Sequence, residues 1–186
     1  NEAGLFWAML RAAKVWNDLE KMGVPGLKGA WSVPEAAGWG ITVVSIKQMY
    51  AGHASQAVNL AAQCMGGAYF GKYVIVVDDD IDPTNVNEVL WAMATRSRPS
   101  ESIDILRETW STYLDPSQNP PEIRPWGSKC LINACMEYKH INEFSPRTKI
   151  SENMYKAVVE RWDDYGLDGD APRLNVFEDA DFKGKI

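Results

Sequence analysis

The sequence predicts an α/β fold: three layers, with a mainly parallel sheet flanked by helices and a closing helix at the C-terminal end. Three observations predict it. Short β-branched runs alternate with stretches of helical periodicity, which is the pattern of βαβ units. One run, Tyr73-Val-Ile-Val-Val77, is unbroken apolar, as suits a strand covered on both faces. At 186 residues and 46% apolar composition, the chain can bury roughly 70% of its unfolded surface.

The elements follow in order. Leu5, Met9, Ala12, Trp16 and Leu19 recur at helical spacing, and Gly23 and Pro25 close the segment, so residues 2–22 read as an amphipathic helix. After a turn-rich stretch from Gly23 to Gly26, Gly40-Ile-Thr-Val-Val-Ser-Ile46 reads as a strand. A helix with Val58, Ala61, Met65 and Tyr69 along one face leads to the strand at Tyr73–Val77. Asp82 is the expected N-cap of the next helix, with Pro83 in its first position and a stripe of Val86, Val89, Leu90 and Met93. Ser102-Ile-Asp-Ile-Leu106 returns as a strand. From Trp110 to Trp126, Pro116, Pro120, Pro121 and Pro125 exclude helix and sheet interior, leaving a long ordered loop of the kind that is usually functional. Ser151 caps a final helix with Tyr155, Val158, Val159 and Trp162 in its stripe, ending at Gly166, and an acidic tail runs from Asp168 to Ile186. This divides the chain into an α/β domain over 1–150 and a closing helix with tail over 151–186, the latter an expected interface.

Charge and cysteine content bound the function. A net charge of -6 repels phosphate backbones and anionic lipid, which argues against nucleic-acid and membrane partners. Apolar runs fall short of the roughly 20 residues of a membrane span. Cys64, Cys130 and Cys135 form no disulfide framework, so the reading is cytoplasmic. The chain opens at Asn1 with neither an initiator Met nor a signal segment, and the expectation is a piece of something larger.

Several groupings invite chemistry. Asp78, Asp79, Asp80 and Asp82 stand at the carboxyl end of a predicted parallel strand, where α/β sheets place ligands and where carboxylates could hold Mg²⁺. The helix dipole and a cap account for them equally. Gly66, Gly67 and Gly71 follow a helix and precede a strand, the reverse of a dinucleotide fingerprint. Cys130, Cys135 and His140 match no zinc spacing and need the distant His53 to complete a set, so buried structural thiols are the simpler reading. Eight Trp and seven Tyr, several outside the periodic stripes, either mark an interface or finish the core.

Three segments together carry a resemblance. Val43-Val-Ser-Ile-Lys-Gln-Met-Tyr-Ala-Gly-His-Ala54, Tyr73-Val-Ile-Val-Val-Asp-Asp-Asp-Ile-Asp82 and Val89-Leu-Trp-Ala-Met-Ala-Thr-Arg96 resemble, in order and interval, the carboxy-terminal domain of the UbiD-type decarboxylases. Tyr113-Leu-Asp-Pro116, Gly127-Ser-Lys129 and the closing helix with Trp162 and Gly166 extend the likeness over most of the chain. The resemblance implies reversible, non-oxidative decarboxylation of an aromatic or α,β-unsaturated carboxylic acid, with prenylated FMN held by Mn²⁺ and K⁺. It places the flavin and metal ligands and a Glu-Arg-Glu constellation in a preceding flavin-binding domain or subunit, whose last Glu would fall just before Asn1. No catalytic or metal residue is then expected in this chain, which alone should be inactive. What the resemblance leaves to it is a wall of the cleft, hinge-like closure over the flavin and a homo-oligomer contact. Leu114 matches the family's pocket-lining leucine, with Thr112 beside it. An assembly domain without catalysis is the alternative, favoured by the aromatic content, and an Mg²⁺-dependent phosphotransfer domain on the aspartate run is a third.

Overall fold

The computed structural model describes residues 2–117, 126–145 and 150–171. The chain divides into two units, Asn1–Glu143 and Phe144–Ile186. In the first, five strands form one sheet in the order β1 (Leu27–Ser32), β2 (Ile41–Ile46), β3 (Tyr73–Asp78), β5 (Trp126–Ala134) and β4 (Ile103–Trp110). The central strands β2, β3 and β5 run parallel, whereas β1 and β4 pair antiparallel at the two edges. The class is α/β as expected, but the sheet is mixed rather than mainly parallel. The strand read at 102–106 is β4, which lies at the edge and turns back on β5 instead of continuing the parallel series. It carries a register shift between Leu106 and Thr109, with Glu108 in the left-handed region at φ 55°. A bulged, charged edge strand resists pairing with other chains.

Alternation along β2 and β3 builds two cores. Val44, Ile46, Val74 and Val76 face helices α1 (Glu2–Lys21) and α2 (His53–Gln63), where Val15, Leu19, Ala57, Val58 and Ala61 cover them. Val43, Ile75 and Val77 face the opposite way, onto Val89 and Ala92 of α4 (Val86–Arg96). Both faces are therefore apolar, which is why β3 reads as an unbroken run. The buried line of α1 is Ala8, Arg11, Ala12, Val15 and Leu19. The expected stripe is right only in its C-terminal half, since Leu5 and Met9 are exposed. Likewise Met65 is exposed: Cys64 takes an extended conformation and breaks the predicted helix into α2 and a single turn, α3 (Met65–Ala68). Strands β1 and β5 were not predicted, because Lys28, Gly29, Lys129 and Asn133 interrupt any β-branched alternation.

The N-cap of α4 is Asn85, whose side chain accepts a hydrogen bond from the Asn87 N–H. Asp82, the expected cap, instead closes the preceding turn by accepting from the Thr84 N–H at 2.8 Å and the Thr84 hydroxyl at 2.7 Å. Pro83 consequently lies before the helix. A further short helix, α5 (Pro99–Ser102), leads into β4. In the second unit, Ser151 caps α6 (Glu152–Glu160) by accepting from the Met154 N–H, and a 3₁₀ turn over Trp162–Tyr165 ends at Gly166 in the left-handed region. Tyr155, Val158 and Trp162 are half-buried and Val159 is exposed. Pro120, Pro121, Pro125 and the tail beyond residue 171 lie outside the described residues.

The glycine cluster serves packing. A Cβ on Gly67 would lie 1.7 Å from the Ala61 carbonyl oxygen, and one on Gly66 would lie 2.8 Å from the Val15 amide of α1. Gly67→Ala is therefore expected to cost about 3 kcal/mol in urea unfolding by overpacking. Gly23→Ala, at a positive φ with open space around it, should cost only about 1 kcal/mol.

Candidate functional site

The carboxyl edge of the parallel strands is occupied by an internal ion-pair cluster. The Asp78 carboxylate accepts from Gln48 Nε2 at 2.7 Å, from the Met136 N–H at 2.7 Å and from Arg96 at 3.0 Å. Arg96 also grips Asp80 with both terminal nitrogens, at 2.7 and 2.6 Å, and its guanidinium lies 5.2 Å from the Trp91 ring. Burial pushes the Asp78 carboxyl up, against the opposing pull of Met136, Gln48 and Arg96. The aspartate run thus divides its work: Asp78 and Asp80 pair with Arg96, Asp82 holds a turn and Asp79 is exposed. Among the described residues no three His, Cys, Asp or Glu side chains are grouped to hold a metal ion.

The opposite edge is built differently. There the turn from Gly66 to Lys72 meets the starts of β3 and β5 and the loop leaving β4. Arg11 donates to the carbonyls of Tyr69 at 2.7 Å and Gly67 at 2.9 Å. Lys129 donates to those of Gly71 at 2.5 Å and Ala68 at 2.7 Å. Two buried cations therefore hold one turn by its carbonyl oxygens. Burial lowers Arg11 to about 10, and burial together with Arg11 lowers Lys129 to about 8. Sequence reasoning missed this pair. The signal available was an arginine on the apolar line of α1, flanked by Ala8, Ala12 and Val15.

The turn in turn holds the loop that follows β4. Thr112 is buried, and its Oγ1 accepts from the Tyr69 hydroxyl at 2.5 Å and from the Leu114 N–H at 3.2 Å. Lys72 donates to the buried carboxylate of Asp115 at 2.7 Å, and to the Ser117 hydroxyl at 2.7 Å. Between these anchors Leu114 stands 74% exposed and Tyr113 65% exposed. Of the two site residues expected from the sequence, Leu114 projects outward and Thr112 lies beneath it. Beside the loop is a cavity of about 500 Å³ with Phe70, Lys72, Trp110, Asp115 and Lys129 in its wall. A run of ring contacts, Trp7 to Trp39 to Tyr69 to Trp110, with centroids 5.1–5.8 Å apart, links α1 to the same edge.

Neither histidine takes part. His53 is buried at the start of α2, where its Nδ1 accepts from the Met49 N–H and its ring stacks on Tyr50, while His140 pairs with Glu143 at the surface. Cys64 and Cys135 are buried free thiols, Cys130 is half-buried, and burial raises all three.

Residues 4–134 match the model of a family described as the 3-octaprenyl-4-hydroxybenzoate carboxy-lyase C-terminal domain. Among solved structures, the chain is similar to the UbiD-class enzyme HmfF of Pelotomaculum thermopropionicum in complex with FMN. That likeness has 26% identity and a TM-score of 0.66, over 75% of this chain and 30% of that one. It is also similar to the vanillic acid decarboxylase of Sedimentibacter hydroxybenzoicus in its closed form, with 25% identity and a TM-score of 0.68, over 88% of this chain and 33% of that one. The 3,4-dihydroxybenzoic acid decarboxylase of Klebsiella pneumoniae, at 24% identity and a TM-score of 0.66 over 79% of this chain and 32% of that one, shares the fold. The chain spans about a third of the length of the solved chains it matches.

Lys129 makes the stability of the fold depend on pH. Its proton is held less tightly in the folded state than in the unfolded one, whose lysine titrates at 10.5. Between about pH 8 and 10.5 the unfolded state binds more protons, so folding stability should rise with pH across that window. The gain should be on the order of 2 kcal/mol. Urea titrations at pH 7.5, 9 and 10 check it, and Lys129→Met should flatten the rise.

Proposed function

The chain belongs to the UbiD carboxy-lyase family as its C-terminal domain, and from that premise we propose that it completes a reversible, non-oxidative decarboxylase of aromatic or α,β-unsaturated carboxylic acids. The observation that carries this reading is Leu114: an exposed leucine on a loop whose neighbours Thr112 and Asp115 are buried and hydrogen-bonded. An aliphatic side chain held out of the core in this way is suited to line a cleft that closes over a ring. There it would exclude water and disfavour a carboxylate relative to neutral CO₂. Thr112 would support the wall from below rather than meet the substrate.

In this reading the rest of the enzyme binds prenylated FMN with Mn²⁺ and K⁺. The described residues here bring together no ligand set for the metal, and the aspartates that could have offered one are engaged by Arg96 or by a turn. The Sedimentibacter enzyme is solved in open and closed forms, and in this reading the domain takes part in such a closure. The half-buried stripe of α6 is offered as a homo-oligomer contact. Three unpaired cysteines fit a reducing compartment such as the cytoplasm. No helix among the described residues is long and apolar enough to cross a membrane.

The direct test is CO₂ release. With prenylated FMN, Mn²⁺ and a panel of aromatic acids, this chain alone should release none, and supplying the flavin-binding part should restore release. Failure of every acid with the assembled enzyme would favour an assembly domain without catalysis. Within the active assembly, Leu114→Ala should lower kcat/KM about tenfold or widen the substrate range. Its exposure predicts a melting temperature within about 2 °C of the parent, since surface changes usually stay within about 0.5 kcal/mol.

A further inference from the structure

Leu114 would not keep an outward posture by itself. An exposed apolar side chain on a loop gains by folding back against nearby apolar surface, and Trp110 is four residues away. Two hydrogen-bonded anchors oppose that collapse, one on each side of Leu114, and both start from the same turn. On one side the Tyr69 hydroxyl reaches Thr112 Oγ1 at 2.5 Å, and the same oxygen accepts the Leu114 N–H. On the other, the Lys72 ammonium reaches Asp115 Oδ1 at 2.7 Å, and that oxygen also accepts the Ser117 N–H at 2.9 Å and the Ser117 hydroxyl at 2.8 Å. Thr112 and Asp115 are 3% and 1% exposed, so neither group can exchange its partner for water without opening the loop.

The turn that supplies Tyr69 and Lys72 is itself rigidly held. Its carbonyls at Gly67, Ala68, Tyr69 and Gly71 are bonded by Arg11 and Lys129. The Tyr69 ring is wedged between Trp39 and Trp110, at 5.7 and 5.1 Å. A short path of direct bonds therefore runs from α1 through the turn to the two ends of the Leu114 segment.

We propose that Tyr69 and Lys72 are positioning residues, which clamp Thr112 and Asp115 so that Leu114 is presented in one fixed outward posture. The consequence for reaction rests on the role of Leu114 argued above, whereas the clamp itself can be measured without any reaction. Tyr69→Phe removes only the hydroxyl and keeps the ring contacts. Lys72→Met keeps the stem and removes the charge.

Amide hydrogen exchange on the full chain reads the clamp. In Tyr69→Phe the Leu114 amide should exchange about five- to tenfold faster, the factor expected for one lost hydrogen bond. Lys72→Met should do the same at Ser117. The amides of Val44 and Val76 in the sheet should be unchanged in both. Thr112→Val, which removes the acceptor of both bonds, should accelerate Leu114 exchange at least as much as Tyr69→Phe, and Thr112→Ser, which keeps the acceptor, should exchange like the parent. Unchanged exchange at Leu114 and Ser117 overturns the proposal, and so does a uniform acceleration that includes Val44 and Val76.

Kinetics of the assembled enzyme then separate the two ideas. Tyr69→Phe should lower kcat/KM in the parent and add nothing in a Leu114→Ala background. If both effects add in full, Tyr69 does not act through Leu114 and the positioning role is overturned. If exchange accelerates locally while neither Leu114→Ala nor Tyr69→Phe changes the rate, the clamp stands and the cleft role of Leu114 falls.

Discussion

The sheet depends on one buried carboxylate. Asp78 ends β3, the central strand, and is only 1% exposed, so its charge is costly unless fully partnered. Its partners come from three separate places: Gln48 after β2, the Met136 amide after β5, and Arg96 at the end of α4. Satisfying one carboxylate therefore fixes the exits of all three parallel strands and the far end of the helix that covers them. Buried ion pairs contribute little net stability but penalise alternatives strongly, because any arrangement that drops one partner leaves a charge unmatched. The requirement also accounts for the aspartate run, since Asp80 matches the second half of the Arg96 fork and Asp82 shapes the turn before α4.

At the other edge the electrostatics are reversed. Arg11 and Lys129 sit beside carbonyl dipoles rather than carboxylates, and burial depresses both. Carbonyl oxygens compensate a cation only in part, so the arrangement costs stability near neutral pH. What it provides is a turn that cannot shift without stranding two charges. The candidate wall of the cleft hangs from this turn. The two edges thus differ in chemistry: the carboxyl edge is held by ion pairs, while the amino edge carries a cavity and an exposed leucine.

Much of this was legible in the residues. The β-branched run from Ile41 to Ile46, the apolar run into Asp78, the helices on either side of them and the Ser151 cap all follow from periodicity and capping chemistry, which act over a few residues. The family resemblance singled out Leu114 and Thr112, and the structure sets the two at different depths of the loop after β4. The edges of the sheet were not legible. Strand β5 contains Gly127, Ser128, Lys129 and Asn133, and carries no strand signal of its own, whereas in the fold Lys129 finds its carbonyls on a turn that lies 58 residues earlier in the chain.

By itself, then, the amino-acid sequence determined the α/β class, the central β2 and β3 strands and the family, because each is written in local spacing or in ordered motifs. Tertiary structure alone decided the antiparallel edges, the break at Cys64, the move of the α4 cap from Asp82 to Asn85 and the opposite exposures of Leu114 and Thr112. The physical reason is common to all four. Each depends on which distant group satisfies a buried polar atom or fills the space beside a backbone, and no local pattern specifies a partner that the fold alone brings near.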